Sequence, residues 1–512
     1  YDVNGNLDSA ENPLGGVMDY TYHDDTHLLN EIIHPQQRGE AKNKMAFSYY
    51  GNNKAHRYIN TLGEVESLTY NEYSQRTEVT NPRGYVREHY YDPANAALIK
   101  LKEPDGAILR FENNADGLRY KKRDGLGFQT QYSYRENREI SAEASNNNGL
   151  VSRELDALNH TIDYTYGLHD QLTQVQDKRG NPLTLNYYSV TNSGAGQIKG
   201  KLHEVRVTLN NATNVLLESY TYYADSIHPA YGQIKQKIEY IDVANSSKQR
   251  TTDFVFEANG INLQNITVTG GTSGGSVNNS FTYDSLGRIE TVTQQRVTSA
   301  IDATLINLVT TYEYDDLGRM TRVTSPRGDI QEVVYDQNGK VYQQKTYYLT
   351  NMSRPNCAAP AGGYVVCIYG TNTYDAADRL IQTSDILGHQ TGFKYDAMGN
   401  IVEKSDANGH VSKYEYDGKN RLLAIVSANG FRADLKYDLA GNLIKITDAN
   451  GHSRTNVYDA LGRITNVMSA DNRSVAIQYD ANGNVTHSLD QNAIANVGSE
   501  SHPRNNQNSS IY

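Results

Sequence analysis

The sequence predicts an all-β fold made of repeated antiparallel strand-turn-strand hairpins of 21 residues. Three observations predict it: a Tyr-Asp pair that recurs at a fixed spacing, two turn signals in each unit, and alternation of polar and apolar residues between the turns. A unit this short cannot bury a core alone, so neighbouring units must stack against one another. The repeat therefore predicts the shape of the molecule better than its chemistry.

The Tyr-Asp pair recurs six times at a constant spacing of 21 residues in the C-terminal part of the chain. Four residues after each tyrosine stands glycine, asparagine or aspartate, and these types tolerate a positive φ, which predicts a tight turn. The fifth residue alternates between arginine and asparagine, for which the sequence offers no reason. The pairs are Tyr374 and Asp375, Tyr395 and Asp396, Tyr416 and Asp417, Tyr437 and Asp438, Tyr458 and Asp459, and Tyr479 and Asp480.

A second turn signal lies halfway through each unit, as in Asp406–Gly409 and Asp448–Gly451. The segments between the turns are roughly 6–8 residues long, which is the ordinary length of a strand. Polar and apolar residues alternate within them, as in residues 413–416 (Lys-Tyr-Glu-Tyr), and this pattern is typical of a half-buried strand. Each unit is therefore predicted to be a hairpin, and the chain a long antiparallel sheet.

The same period indicates how the chain is organised. Residues 1–190 carry repeats that are partly degenerate, and residues 283–490 carry regular ones. Residues 191–282 keep strand-like runs at longer spacings, so we expect irregular, longer hairpins within the same sheet.

Three segments depart from the repeat. Residues 270–279 are rich in Gly and Ser and are predicted to be a loop, and residues 491–512 are predicted to be a polar tail. An insertion near residues 342–371 contains both cysteines, Cys357 and Cys367, ten residues apart. A disulfide between them would suit an exported protein, and a pair of unlinked thiols is the alternative.

The motif Tyr-Asp-x-x-Gly-Arg, with Pro-Arg-Gly or Asn-Gly turns between its copies, resembles the Rhs/YD-repeat family. The motif stands at residues 283–289, 314–319 and 458–464, and the Pro-Arg-Gly turns stand at Asn81–Gly84 and Ser325–Gly328. The resemblance implies repeats that spiral into a hollow β-sheet shell or solenoid, as in bacterial Rhs toxin shells, toxin-complex cocoons and teneurin-like shells. In the toxin branch, the shell encloses a toxic C-terminal domain.

The resemblance is incomplete at the C-terminal end. Shells of the toxin type usually finish with a core segment that carries a self-cleaving aspartyl-protease site, and we recognise no such segment here. The sequence also opens in mid-motif, at Tyr1 and Asp2, without an initiator Met or a signal peptide. We therefore expect the chain to be an internal piece of a larger protein.

Composition argues against two classes of partner. The net charge is −11, from 48 basic and 59 acidic residues, which does not indicate a nucleic-acid surface. No apolar run is long enough to span a membrane. There are 40 Tyr, 8 Phe and no Trp, a composition typical of a thin sheet with wide polar surfaces, because tyrosine packs its ring while its hydroxyl reaches water or a partner.

The motifs of catalysis and of cofactor binding are missing from the sequence. His203 and Glu204 begin a zinc-protease pattern, but Val207 stands where the second histidine is required. The turn that begins at Asp480 resembles the start of a calcium loop, but Gln491 occupies the place of the bidentate glutamate, and turn chemistry explains such residues. We expect no enzymatic activity, no cofactor and no metal site.

Two recurring types of side chain have both a functional and a structural interpretation. His389, His410 and His452 recur at one turn position, where they could titrate between about pH 5 and 8 or simply be solvated. The tyrosines could stack on sugar rings, or they could pack across the strands of neighbouring hairpins. The structural interpretation is favoured in both cases.

Three functions are compatible with this pattern. The first is a segment of a secreted shell that encloses a toxin or effector polypeptide, and we predict this one. The second is an extracellular, adhesive or filament-forming surface protein without cargo, whose partners are other copies or surface ligands, carbohydrate among them. The third, a glycosidase, would need paired carboxylates that converge on a cleft, whereas the aspartates of the turns are explained locally.

Overall fold

The computed structural model describes most of the chain and shows one sheet of 39 strands. It contains no α-helix within the described residues, and none of them belongs to a helix able to cross a membrane. The described residues are 1–11, 16–34, 44–135, 149–167, 170–192, 195–209, 213–241, 248–270, 276–297, 305–336, 338–349, 364–385 and 387–490.

The strands follow one another along the chain with the bounds below. The first ten are β1 (Ser9–Glu11), β2 (Val17–Tyr22), β3 (Leu29–Ile33), β4 (Lys44–Tyr49), β5 (Ala55–Ile59), β6 (Val65–Asn71), β7 (Arg76–Thr80), β8 (Val86–Tyr91), β9 (Leu98–Lys102) and β10 (Ile108–Asn113). The next ten are β11 (Arg119–Arg123), β12 (Gln129–Tyr134), β13 (Val151–Leu155), β14 (Thr161–Tyr166), β15 (Leu172–Gln176), β16 (Pro182–Tyr187), β17 (Leu202–Leu209), β18 (Thr213–Tyr222), β19 (Ile234–Tyr240) and β20 (Gln249–Phe256). Then come β21 (Leu263–Gly270), β22 (Ser276–Tyr283), β23 (Ile289–Val297), β24 (Leu305–Tyr314), β25 (Met320–Thr324), β26 (Ile330–Tyr335), β27 (Val341–Leu349), β28 (Tyr364–Tyr374), β29 (Leu380–Ser384) and β30 (Gln390–Tyr395). The last nine are β31 (Ile401–Ser405), β32 (Val411–Tyr416), β33 (Leu422–Val426), β34 (Arg432–Tyr437), β35 (Leu443–Thr447), β36 (Ser453–Tyr458), β37 (Ile464–Met468), β38 (Ser474–Tyr479) and β39 (Val485–Asp490).

Each strand pairs antiparallel with the strands before and after it in sequence, so the sheet is a single meander. The register shifts at the repeat tyrosine: Tyr395 pairs with Ile401 across an irregularity between Lys394 and Tyr395. The same shift recurs at the other five repeat tyrosines. A bulge bends its strand and increases the local twist, so the sheet acquires curvature once in each of these six units.

Two kinds of turn join the strands. We call the turn that begins at the Tyr-Asp pair the YD turn, and the turn halfway through a unit the mid-unit turn. The predicted positive φ is confirmed in the YD turns, where Asn420 and Asp378 have φ of 63° and 59°, alongside glycines such as Gly399 at 83°. It is confirmed in the mid-unit turns too, for example at Gly409 with φ of 82°.

The structure corrects the predicted loop at residues 270–279. Strand β22 begins at Ser276 and pairs with β21, so residues 276–279 are strand, and residues 271–275 lie outside the described part. The insertion lengthens a hairpin: β27 and β28 pair from Gln343 and Thr371 to Leu349 and Tyr364. Residues 350–363 and 491–512 lie outside the described part, and the division of the chain into blocks stays a prediction.

The sheet is thin, and much of its surface meets solvent. The accessible surface is 31538 Å², whereas a compact monomer of this mass exposes on the order of 19,000 Å². On β32–β34, Tyr414 and Leu435 lie half-buried on one face, while Lys413, Glu415 and Asp434 are exposed on the other. The chain thus builds a wall with an apolar face and a charged face.

Candidate functional site

The repeat tyrosines join neighbouring hairpins. The Tyr458 hydroxyl donates to the carbonyl oxygen of Leu443 at 2.8 Å, and the Tyr479 hydroxyl donates to that of Ile464 at 2.7 Å. Each acceptor is the aliphatic residue that follows the preceding YD turn, so one hydroxyl holds two units together. Burial raises the pKa of Tyr395, whose hydroxyl donates in the same way to Leu380.

The same role extends to Tyr374, whose hydroxyl reaches Val341 across the insertion at 2.9 Å. Burial also raises the pKa values of Tyr374, Tyr416 and Tyr437. These contacts favour cross-strand packing over sugar binding, because the hydroxyls are occupied by hydrogen bonds within the sheet. The tyrosines concerned are Tyr374, Tyr395, Tyr458 and Tyr479.

The aspartate of the pair shapes the YD turn. The Asp459 Oδ1 accepts the backbone N–H groups of Leu461 at 2.9 Å and Arg463 at 3.0 Å, and its Oδ2 accepts the Arg463 Nε at 2.7 Å. An aspartate that bonds its own turn in this way favours the turn conformation. The backbone N–H four residues on donates to the carboxylate at each of the other five aspartates: Asp375, Asp396, Asp417, Asp438 and Asp480.

The arginines of the alternating position link successive units. Arg379 bonds its own Asp375 through Nε at 2.8 Å, and its Nη1 donates to the Asp396 carbonyl oxygen of the next unit at 3.1 Å. Its guanidinium lies 4.8 Å from the centroid of the Tyr395 ring, a cation–π distance. Arg421 and Arg463 repeat these contacts with the units that follow them.

The asparagines that alternate with them bond chiefly within their own turns. Asn442 Nδ2, for example, donates to Asp438 Oδ2 at 3.0 Å. The alternation therefore provides one arginine link for every two units. The geometry does not require this alternation, because arginines also occur in two successive units. Arg288 lies over the ring of Tyr314, and Arg319 lies over the ring of Tyr335.

The histidines of the mid-unit turns are solvated. The Nδ1 atoms of His389 and His410 lie 2.9 and 3.0 Å from the carboxylates of Asp385 and Asp406, and the two rings are 53% and 62% exposed. The hydrogen bond from His389 lowers the pKa of Asp385. His452 sits in the same way beside Asp448. These contacts favour the interpretation as solvated turn neighbours.

The mid-unit turns of residues 81–180 lie against the YD turns of residues 396–483, which are roughly 300 positions away in sequence. Arg83 donates to the carbonyl oxygens of Tyr416, at 3.3 Å, and Asp417, and to Asn420 Oδ1 at 2.9 Å. It also pairs with Asp396 at 3.3 Å, and its side chain is only 16% exposed. We call the strands of residues 81–180 and those of residues 396–483 two layers of the wall, and we call the contact between their turns the seam.

Charged groups continue along the seam. Asp105 pairs with Arg421 at 2.8 Å and with Lys419 at 3.4 Å. Burial alone would raise the pKa of Asp105, but the N–H of Ala107 and the two cations outweigh it and lower the pKa. Further along, Arg179 pairs with Asp480 at 3.4 Å. The seam therefore joins turns of opposite charge.

Two glycines allow the layers to approach closely. A Cβ added at Gly125 would overlap the carbonyl oxygen of Leu439, and one added at Gly418 would lie 2.7 Å from both Pro104 and Tyr85. Contacts this short are repulsive, so any side chain at Gly125 or Gly418 would force the layers apart.

The seam sets the width of the spiral. Asp105 and Arg421 are separated by 316 residues, and between their turns lie the 23 strands from β10 to β32. At about 4.8 Å per strand these strands span about 110 Å, which gives a diameter of about 35 Å when the circuit is round. Two sheets that pack face to face lie about 10 Å apart. The opposite sides of this wall are farther apart than that, so they do not pack against each other and the interior stays open.

Three further observations concern the cysteines, a metal site and His203. Cys367 is disulfide-bonded and 2% exposed, whereas Cys357 lies outside the described residues, so the pairing stays a prediction. The described residues contain no group of three His, Cys, Asp or Glu side chains placed to hold a metal. His203 instead stacks on Tyr188, with ring centroids 4.3 Å apart.

Two family models match parts of the chain. The model described as Teneurin YD-shell matches residues 368–497, and the model described as RHS Repeat matches residues 294–330. These stretches are YD/RHS repeats. The resemblance inferred from the Tyr-Asp motif is thereby confirmed. No curated protein sequence matches the chain.

Solved structures of toxin complexes share the fold. The crystal structure of TcdB2-TccC3-TEV has a TM-score of 0.52 at 12% identity, and the match covers 93% of this chain and 25% of that chain. A Photorhabdus luminescens Tc holotoxin pore with a TccC3 variant gives 0.51 at 12% identity, with 93% and 24% covered. The all-β shell fold predicted from the sequence is confirmed. The chain spans about a quarter of the length of these structures.

Proposed function

We propose that the chain forms part of the wall of a secreted hollow shell that encloses a toxin or effector polypeptide. The observation that carries the proposal is the seam, where Arg83 and Asp105 of one layer bind the YD turns of the other. A sheet that returns onto its own turns encloses a space instead of forming a flat strip. The fold relationship to toxin complexes supports the enclosed polypeptide as the partner.

The role of the wall is mechanical. The tyrosine, aspartate and arginine positions described above are used within the sheet, and no step of the proposal needs a catalytic residue. A closed wall keeps an enclosed polypeptide away from proteases and from other chains. Turning the sheet on itself also protects strand edges, which otherwise pair with other chains.

Protease protection tests the proposal. The protein expressed at its natural length is treated with a protease, and the surviving fragments are identified by mass spectrometry. We expect an enclosed polypeptide to survive in the unaltered protein and to be digested in a variant whose seam is opened by Arg83→Ala and Gly125→Ala. Arg57→Ala, which removes an exposed strand arginine, is the matched control and should retain protection. If no polypeptide is protected in the unaltered protein, the enclosing function is wrong.

A further inference from the structure

Three basic side chains lie side by side on one face of the sheet, and we call them the basic row. Arg110 of β10 lies directly opposite Lys100 of β9 on one side and Arg123 of β11 on the other. Like charges directly opposite each other destabilise an antiparallel pair. Elsewhere in the described part of the sheet, like charges face each other at most in pairs, as at Lys436 and Lys445. The basic row therefore carries a cost that the fold alone does not explain.

The cations that flank the centre of the row are neutralised by carboxylates. Glu88 accepts a hydrogen bond from Lys102 at 2.5 Å and lies 3.2 Å from Arg76. The hydrogen bond from Lys102 lowers the pKa of Glu88 to about 2, so this carboxylate is charged at neutral pH. On the other side of the row, Glu112 lies 3.5 Å from Arg123. Carboxylates are thus the ligands that the cations of this face already use.

The centre of the row has no such carboxylate. Arg110 is exposed and forms no hydrogen bond or ion pair with any residue that the structure describes. Lys100 lies over the Tyr90 ring, 3.4 Å from its centroid, and has no ion pair within the described residues.

The face around the row therefore has an excess of three positive charges, although the whole chain has a net charge of −11. Six basic side chains lie on it against three acidic ones. The basic ones are Arg76, Lys100, Lys102, Arg110, Lys121 and Arg123, and the acidic ones are Glu78, Glu88 and Glu112. A ligand that brings carboxylates to the centre of the row would remove the repulsion within it.

We propose that the basic row binds the carboxylates of an acidic polypeptide segment that lies across strands β9–β11. Neighbouring strands are about 4.8 Å apart, so the row is about 10 Å long. In an extended segment, side chains two residues apart point the same way at a spacing of about 6.6 Å. Two acidic residues in this arrangement can each lie between two cations of the row, and the fork of Arg110 suits a carboxylate.

The charge of the chain favours a short acidic segment over a long polyanion. A net charge of −11 repels nucleic acid as a whole, whereas a short segment meets only the local positive excess. The proposal goes beyond the shell function, because binding on this face does not require the wall to close.

Fluorescence anisotropy tests the proposal. The 512-residue chain is titrated at low salt against a short oligoglutamate peptide that carries a fluorophore. We expect binding that Arg110→Ala weakens by at least about tenfold, since a hydrogen bond between charged groups is lost. Arg57→Ala is the matched control: Arg57 is exposed on the same face but lies opposite Ser48 and Ser67, so its loss should leave the affinity unchanged.

A second variant separates binding from folding. Arg110→Glu places the missing carboxylate in the wall itself, between Lys100 and Arg123. It should abolish binding of oligoglutamate and slow hydrogen exchange in β9–β11, because the repulsion is replaced by attraction. Faster exchange in this variant would contradict the proposal.

Three results of the titration would overturn the proposal. The first is that oligoglutamate does not bind to the unaltered chain. The second is an equal loss of affinity in Arg57→Ala and Arg110→Ala. The third is tighter binding of a single-stranded oligonucleotide or a sulfated glycan than of oligoglutamate, which would assign the row to another class of polyanion.

Discussion

Replacement of Arg83 by alanine should loosen the seam. The guanidinium binds the carbonyl oxygens of Tyr416 and Asp417, the side chain of Asn420 and the carboxylate of Asp396. Its loss leaves these acceptors partly buried without their donor. Hydrogen bonds to charged groups contribute about 1.5–3 kcal/mol each, but the site is partly open to water, so we expect a total loss of about 3 kcal/mol.

Native-state hydrogen exchange is the appropriate assay, because a repeat protein of this length need not unfold in one step. A loss of about 3 kcal/mol corresponds to roughly 100-fold faster exchange when the opening of the seam limits it. The effect should be confined to residues 416–420 and to the turn that contains position 83. Arg57→Ala should change exchange by less than about 0.5 kcal/mol, since Arg57 is an exposed strand residue. Equal effects of the two variants would refute the reasoning.

Three further perturbations test other parts of the wall. Tyr458→Phe removes the hydroxyl that donates to Leu443 and should cost about 1 kcal/mol, measured by exchange in the two hairpins that it joins. Gly125→Ala places a methyl group against the Leu439 carbonyl and should lower the melting temperature and speed exchange at the seam. The seam should keep its stability from pH 8 to 5 and lose the contribution of Asp105 below about pH 4. Asp105 has a folded pKa below its unfolded value of about 3.9, so its contribution is present above that value and disappears as pH falls through the folded pKa.

Matched controls accompany these variants. Tyr414→Phe removes a hydroxyl from the same face of the sheet, and we expect less than about 0.5 kcal/mol of change. Gly51→Ala places a methyl group where nothing lies within 4 Å. A cost for Tyr414→Phe equal to that for Tyr458→Phe would contradict the hydroxyl link. Unfolding between pH 8 and 5 would contradict the carboxylate account and favour the turn histidines.

The local structure was predictable because its causes are local. In the turns of residues 374–490, glycine, asparagine and aspartate occupy the positions of positive φ, and Asp459 bonds the backbone of its own turn. Alternation between turns then fixes which residues share a face of the sheet. The predicted loop was wrong at Gly270 and at residues 276–279. Gly and Asn are depleted in strands, but the pairing of these residues with neighbouring strands outweighed that preference.

The seam was not predictable from a single sequence. Its partners lie 301 to 337 residues apart in sequence. Aspartate is common in turns of every kind, so the residue type of Asp105 does not indicate a contact with another layer. The role of the alternating arginines was also missed, although a signal existed. Arg379, Arg421 and Arg463 each precede a tyrosine at a constant distance, which points to a contact between successive units.

Single-particle electron cryomicroscopy of the chain tests the central claim most directly. We predict a curved wall in which residues 81–180 and 396–483 form adjacent layers, joined by their turns, with the strands of one circuit on a ring about 35 Å in diameter around an open interior. An extended or flat single-layer strip, with the side chains of Arg83 and Asp105 far from residues 396–421, would contradict the account.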